Sequence, residues 1–372
     1  TRNKLKSEDC YEIEFDDIAD ALAAIRNGEC VVVVDDEKRE NEGDLICAAQ
    51  FATPQQINFM ATEARGLICL AMQGERLDEL DLPLMVDRNT DSNQTAFTVS
   101  IDAGPEFGVS TGISAEDRAK TIQVALNSQT KPIDLRRPGH IFPLRAKIGG
   151  VLKRAGHTEA AVDLSLLAGL SPAGVICEIQ NLDGSMARLP ELKKYANERN
   201  LKLISIADLI HYRTLKEKTV EKLYSKTITI DGMSFKLKAW KDSIFQKLHL
   251  TFEVGNIKKS DAPLVRVHVP NVLHDMIGMD GFGKRMDIKK ALKKIHESKC
   301  GVLLMIGTEQ NNQSIMMDLE GKKNVPQPET KTVGIGSQVL KELGLTKIKL
   351  LATPVKYPSI SGFDLEVIGF EK

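Results

Sequence analysis

The feature that most constrains this chain is VVVVDDEKRENEGDL, residues 31–45. Four consecutive valines suit a strand buried on both faces and do not suit an amphipathic helix. The chain then turns abruptly charged, with Asp35, Asp36, Glu37, Lys38, Arg39, Glu40, Glu42 and Asp44 close behind the last valine. Asn41 and Gly43 interrupt regular structure. The charges are therefore expected on a loop at the end of a buried strand, where open α/β sheets hold their ligands. Carboxylates crowded into so short a loop repel one another unless a cation or basic side chains neutralise them. The loop is either the carboxylate shell of a hard metal ion or a solvated charged turn, and composition leaves both open.

At 372 residues the chain exceeds one average domain, and two are expected. Its charge is unevenly shared. Residues 214–372 carry 26 Lys+Arg against 18 Asp+Glu, a net of +8, which leaves −9 for residues 1–213 of the whole-chain −1. Of those 26 basic residues 24 are lysine, with few aromatics between them, so a solvated surface is expected and no nucleic-acid partner. No apolar run approaches the roughly 18 residues of a membrane helix, and residues 1–17 lack an apolar core. No membrane association or leader is expected, and a cytoplasmic location is. The cysteines at 10, 30, 47, 69, 177 and 300 form no CxxC pair, which fits reduced thiols and offers no zinc knuckle.

Helical spacing is expected over residues 15–27, ending at Gly28, and strands over 46–51 and 66–72. Thr53 and Pro54 form a helix start. Residues 80–111 are mostly irregular and polar, either a surface loop or a lid, with a strand at 96–101. Ser114 can cap a helix over 115–128, and further helices are expected over 157–167, 189–199 and 206–211, with strands at 175–179 and 201–205. Residues 214–226 are Lys/Glu-rich and read as a linker or its flanking helix. Beyond lie a hairpin over 228–238 turning at Asp231-Gly232, strands at 247–254, 263–269, 301–306 and 348–353, helices at 287–297 and 339–343, and a polar stretch at 307–331.

Chemistry-bearing residues gather in the first half. The acidic loop offers Glu40, Glu42 and Asp44. His140 and His157 follow glycines, and Glu178 sits inside VICEI. Arg154 precedes Gly156-His157-Thr158 at a helix start, where amides, a guanidinium and a hydroxyl can converge on a phosphate. Singly each has a plain structural alternative: a hydrogen-bonded histidine, an ion-pair partner, a cap. No Ser-His-Asp or Walker spacing is present, nor a GxGxxG behind a strand.

Together, DDEKRENEGDL, GVSTGISAEDRAKTI, RRPGHIFPLRA, RAGHTEAAVDL and GVICEI, in this order, closely resemble 3,4-dihydroxy-2-butanone 4-phosphate synthase over about residues 11–213. The resemblance implies an α+β fold, with a three-layer α/β sandwich over residues 1–213, and a riboflavin-pathway lyase acting on ribulose 5-phosphate with Mg²⁺ or Mn²⁺. It implies metal ligation by Glu40 and His157. Arg39, Glu40 and Asp44 would hold the sugar, and Arg154, Ala155, Gly156, His157 and Thr158 the phosphate end. His140 and Glu178 are the implied acid–base residues, Glu178 also touching substrate. Cys69 and Thr111 match positions near the substrate, with packing and a loop cap as their alternatives. A homodimer is implied as well.

The second half, VRVHVPNVLHDMIGM, GVLLMIGTEQ, VGIGSQVLKELGLTKIKLLAT and ISGFDLEVIG, resembles GTP cyclohydrolase II. A smaller mixed α/β domain over residues 227–372 follows from that, with 214–226 as linker. The family's zinc cysteines correspond to Asn271, Phe282 and Lys284, and its catalytic EGRG to Glu309-Gln310-Asn311-Asn312. No zinc is expected. Two alternatives stand for this half: a bifunctional enzyme that also opens GTP, disfavoured by the missing zinc cysteines, and a non-catalytic binding or assembly module.

Overall fold

The computed structural model describes residues 14–37, 39–279, 286–307, 315–316, 319–320, 330–352 and 365–371. The chain divides into two compact units between Tyr212 and Arg213.

In the first unit, the four valines form β1 (Val31–Val34), buried along its whole length. Around it lie β2 (Gly43–Ala48), β3 (Cys69–Gln73), β4 (Ile101–Ala103), β5 (Leu135–Ala146), β6 (Ala173–Glu178) and β7 (Lys202–Ser205). They form a mixed sheet of order β4-β5-β3-β6-β2-β1-β7, with β1/β7 and β3/β5 parallel and the other pairs antiparallel. Alternation sends Val32, Leu45, Cys47, Leu70, Val175 and Cys177 to one face, against Ile57 of α2 (Pro54–Phe59), Leu77 of α3 (Gly74–Glu79), Ile122 of α4 (Ala115–Leu126) and Leu192 of α6 (Leu189–Glu198). The opposite face, with Val31, Val33, Ile46 and Ile176, is covered by α1 (Ile18–Arg26) and α5 (His157–Leu167). The result is helix, sheet, helix: the expected three-layer sandwich. A sheet covered on both sides explains why β1 reads as an unbroken apolar run.

Two departures from the sequence reading bear on the site. Gly43 and Asp44 lie inside β2, not in the acidic loop, because they continue the ladder opposite Val34 and Val33. A Cβ on Gly43 would stand 2.5 Å from Leu192 Cδ1, so a larger residue there would have to displace that side chain. The second departure is β5, a twelve-residue strand. Its glycine and two prolines hide the β pattern. Beyond its pairing with β3 it meets only the short β4 and a bridge between Phe97 and Leu144, where missing N–H groups cost little.

The second unit is a mixed sheet of order β14-β13-β11-β12-β10-β9-β8. Its strands are β8 (Val220–Ile230), β9 (Met233–Asp242), β10 (Leu248–Val254), β11 (Leu264–His268), β12 (Gly301–Met305), β13 (Lys347–Leu351) and β14 (Glu366–Glu371). Helix α8 (Ile288–Glu297) packs Ala291, Leu292 and Ile295 on one face with Phe252 and Leu303. Helix α9 (Thr330–Glu342) packs Val339 and Leu340 on the other with Val265 and Leu304. The expected hairpin is present with longer arms, turning at Asp231 and Gly232 with φ of 49° and 77°. Residues 214–226 are not a separate linker: α7 (Ile206–Lys216) runs to Lys216 and β8 begins at Val220. Their Lys/Glu content reflects a solvent-exposed edge strand, which charge protects from unwanted pairing.

The contact of α5 with the sheet is close. A Cβ on Gly174 of β6 would stand 2.8 Å from Ala161 Cβ and 2.9 Å from its carbonyl oxygen. Gly174→Ala is therefore expected to cost about 1–3 kcal/mol through overpacking. The check is thermal unfolding of the full chain, and an unchanged Tm would contradict this packing.

Candidate active site

Strand register places the expected chemistry along one edge of the first sheet. Val33 pairs with Asp44, Asp44 with Glu178, and Ile176 with Cys69, which in turn pairs with Phe142. Paired residues share a face, and so do residues two apart in a strand. Asp44, Glu178, Cys69 and His140 therefore all belong to the face that α5 covers. His157 stands at the first position of α5, over the same edge.

The loop after β1 is built by Asp35, whose side chain is fully buried. Its Oδ2 accepts the Glu40 amide at 3.0 Å and Arg39 Nη1 at 2.8 Å, and its Oδ1 accepts the Glu42 amide at 2.8 Å. Arg39 Nη1 also donates to Glu40 Oε2 at 2.5 Å. The sequence reading counted Asp35 only as one charge among several. Its special role could be seen only from its place immediately behind the strand.

His157 is buried, and its Nε2 lies 3.1 Å from the Val33 carbonyl oxygen. Its Nδ1 faces Glu40 Oε2 and Asp44 Oδ1, each at 3.7 Å. Burial resists ionisation of Glu40, but His157 and Arg39 outweigh it and hold the carboxyl down to about 2. Burial likewise opposes charge on His157, yet Asp44, Glu40 and Asp35 raise its pKa to about 9. Asp44 is pushed up to about 7 by burial, with His157 opposing and Glu178, Glu40 and Glu42 reinforcing. Asp44 Oδ1 is buried and makes no hydrogen bond. Ligand atoms of Asp35, Glu40 and His157 lie within 4.8 Å of one another. Both oxygens of Asp35 accept its loop donors and Glu40 Oε2 accepts Arg39, so the oxygen of the cluster shown without a hydrogen bond is Asp44 Oδ1. The donor set fits a hard divalent ion, with the His157 tautomer set by its contact with Val33.

His140 lies on β5. Its Nδ1 meets Asp102 Oδ2 at 2.8 Å, and its amide donates to Asp102 Oδ1 at 2.9 Å. Its side chain is 43% exposed, so Nε2 is the nitrogen turned outward. Asp102, on β4, carried no signal in the sequence. Thr111 is exposed and precedes Gly112, whose backbone lies against Asp102 too closely to allow a Cβ. Asp117 shapes that loop by accepting Ser110 Oγ at 2.7 Å and the Gly112 amide at 3.0 Å. Glu178 Oε2 accepts the Leu67 amide at 2.8 Å. Cys69 is buried, and burial together with the Glu178 and Asp44 charges raises its thiol pKa, which fits packing better than nucleophilic chemistry.

Arg154, Ala155 and Gly156 form the turn entering α5, and Thr158 is buried in its first turn. Arg154 Nη1 donates to Glu159 Oε2 at 2.7 Å. Gly156 makes room for this pair, because a Cβ there would meet both side chains. The structure thus brings Arg39, Glu40, Asp44 and His157 into one cluster. Glu178 lies on its sheet row, Cys69 on the same face opposite Ile176, and residues 154–158 are continuous with it. His140 lies with Asp102 at the same sheet edge.

Asp35→Ala removes the acceptor of two loop amides and the partner of Arg39. It is expected to speed amide exchange at Glu40 and Glu42 and to cost about 1–3 kcal/mol, the usual scale for buried groups left unsatisfied. Exchange at wild-type rates would contradict the role given to Asp35.

Comparison with known proteins agrees with this arrangement. The family model described as 3,4-dihydroxy-2-butanone 4-phosphate synthase matches residues 19–212, and that of GTP cyclohydrolase II matches residues 221–372. A riboflavin biosynthesis protein RibBA of Synechocystis is 53% identical over 95% of this chain and 67% of its own length. The 3,4-dihydroxy-2-butanone 4-phosphate synthase of Pseudomonas aeruginosa is 45% identical over 95% of this chain and 98% of its own length. The crystal structure of RibBX from A. baumannii, described as a two-domain synthase of that name, superposes with a TM-score of 0.81. It is 41% identical, over 96% of this chain and all of that one. A synthase structure described as in complex with two magnesium ions matches at a TM-score of 0.51 and 46% identity, over 54% of this chain and 99% of that one. With its acidic loop, its His157 cluster and its two-unit architecture, this chain belongs to the 3,4-dihydroxy-2-butanone 4-phosphate synthase family, in the form that carries a GTP cyclohydrolase II-like second unit.

Proposed function

We propose that the first unit is a lyase of riboflavin biosynthesis that converts D-ribulose 5-phosphate to L-3,4-dihydroxy-2-butanone 4-phosphate and formate. The observation that carries this is the buried cluster of Glu40, Asp44 and His157, with a carboxylate oxygen lacking any hydrogen bond, on the sheet edge shared with Glu178 and His140. Glu40 and His157 would hold Mg²⁺ or Mn²⁺. When bound, the ion polarises substrate oxygens and acidifies the adjacent C–H bond.

The protein's own residues supply the rest. Arg39 and Asp44 bind sugar hydroxyls. Arg154, Thr158 and the first amides of α5 hold the phosphate. His140 and Glu178 move protons on the carbon skeleton. Asp102 fixes His140 with Nδ1 as the donor, so that Nε2 is the basic nitrogen. Glu178 is held in place by the Leu67 amide and by Gly66, whose missing Cβ leaves space for its carboxylate. The protein acts as a cytoplasmic homodimer in this reading, and the exposed run Leu84, Met85 and Val86, at 49%, 44% and 50%, is apolar surface suited to association.

The test is formate release from ribulose 5-phosphate by the full chain. Glu40→Gln is expected to abolish it with the fold intact. Asp102→Asn can present a donor to Nδ1 and so stabilise the wrong tautomer. It is expected to lower kcat by about 10²–10⁴-fold with KM little changed. Wild-type turnover in Glu40→Gln would remove the metal assignment, and a change confined to KM in Asp102→Asn would remove the acid–base role of His140.

The second unit neither binds zinc nor hydrolyses GTP in this reading. Asn271 stands where the family has its first cysteine, and its side chain accepts the His274 amide at 2.9 Å. Phe282, Lys284 and residues 309–312 lie outside the described residues. The nearby Asp275 is engaged by protein groups: Oδ2 meets His268 Nε2 at 2.9 Å and the Asn271 amide at 2.7 Å, and Oδ1 accepts the Ile288 amide at 3.1 Å. Purified protein is expected to contain no stoichiometric zinc and to release no formate from GTP. Zinc together with GTP turnover would establish the bifunctional alternative suggested by the RibBA relatives.

A further inference from the structure

Arg154 is engaged on both sides by protein. On one side Nη1 meets Glu159, whose side chain is 1% exposed and whose other oxygen accepts the Lys147 amide at 3.0 Å. On the other side Nε and Nη2 donate to the Asn93 carbonyl at 3.3 and 3.1 Å, and Nη2 also reaches Thr95 Oγ1 at 3.3 Å. A guanidinium grips phosphate through two parallel N–H groups on one edge. Here the Nε/Nη2 edge is taken by a neutral carbonyl.

That carbonyl is presented by a turn with its own hydrogen bonds. Asn89 Oδ1 accepts the Asp91 amide at 2.9 Å, Asp91 Oδ2 accepts the Thr95 amide at 3.0 Å, and Asn89 Nδ2 donates to the Thr95 carbonyl at 2.9 Å. Behind it the chain is tied to β5. The Thr98 amide and Oγ1 both donate to the Pro143 carbonyl at 3.0 Å, and the Arg145 amide donates to the Ala96 carbonyl at 3.0 Å.

We propose that the turn at residues 89–95 is a latch displaced by the substrate's phosphate. The Asn93 carbonyl occupies the edge of Arg154 that the phosphate takes over, and Glu159 is the positioning residue that keeps the guanidinium still during the exchange. This rests on the reading of Arg154 as a phosphate ligand. A phosphate dianion wins the exchange because charge-assisted hydrogen bonds are roughly twice as strong as neutral ones. An unphosphorylated sugar lacks the group that opens the latch, so the turn sets specificity for phosphorylated ligands. Latching lowers apparent phosphate affinity in proportion to the fraction of molecules with the turn released.

The experiment is calorimetric titration of the full chain with inorganic phosphate. Thr95→Val keeps side-chain volume but removes the hydroxyl acceptor, and Asn89→Ala removes both bonds that Asn89 makes in the turn. Both are expected to bind phosphate about three- to tenfold more tightly than wild type, as released competition requires. Arg154→Ala is expected to lose binding. Unchanged or weaker binding in Thr95→Val overturns the latch, because the turn then contributes nothing or helps to hold the anion. Binding that survives Arg154→Ala overturns the underlying phosphate assignment instead, and the two failures are separately visible.

Discussion

The structure of the first unit depends on a concentration of negative charge that the fold buries at one edge of its sheet. Removing a carboxylate from water costs several kcal/mol unless donors or opposite charge meet it. Asp35 is fully met by two amides and a guanidinium. Glu40 is met by Arg39 and by His157. Asp44 is not: it is buried, one of its oxygens makes no hydrogen bond, and three further carboxylates raise its pKa. That such a group is kept in place, 3.7 Å from a buried imidazole, supports the cation site proposed above. The covering helix α5 serves that arrangement twice. Its first residue is His157, and the turn before it carries Arg154.

Much of this was legible in the sequence, for physical reasons. The four valines announce a strand covered on both faces, and the charged run behind them cannot be core. Thr53-Pro54 and Ser114 cap their helices as expected, accepting the amides of Gln56 and Asp117. What remained hidden depends on contacts distant in sequence. Asp102 is unremarkable in its own neighbourhood and gains a role only because β4 lies beside β5, which puts it against His140. Strand β5 was invisible because its prolines contradict strand propensity, and only its place at the margin of the sheet tolerates them. The entry of Asp44 into β2 was missed because Gly43 reads as a breaker, whereas here it yields space to Leu192.

In the reading proposed above, the second unit keeps its family's fold without the zinc chemistry. Its sheet and both helices need only apolar alternation and the amphipathic stripe of α8, all present in the sequence. Zinc hydrolysis needs particular donors at particular points. Asn271 stands at one of those points, and beside it the Asp275 carboxylate accepts the Asn271 amide and meets His268 Nε2. Such a network stabilises a turn.

The most direct measurement of the cation site is the anomalous difference map of crystals soaked in Mn²⁺. A peak within bonding distance of the Glu40 carboxylate and His157 Nδ1 is the predicted result. A soaked, catalytically active crystal with no peak there, or with its only peak remote from both residues, would contradict the account.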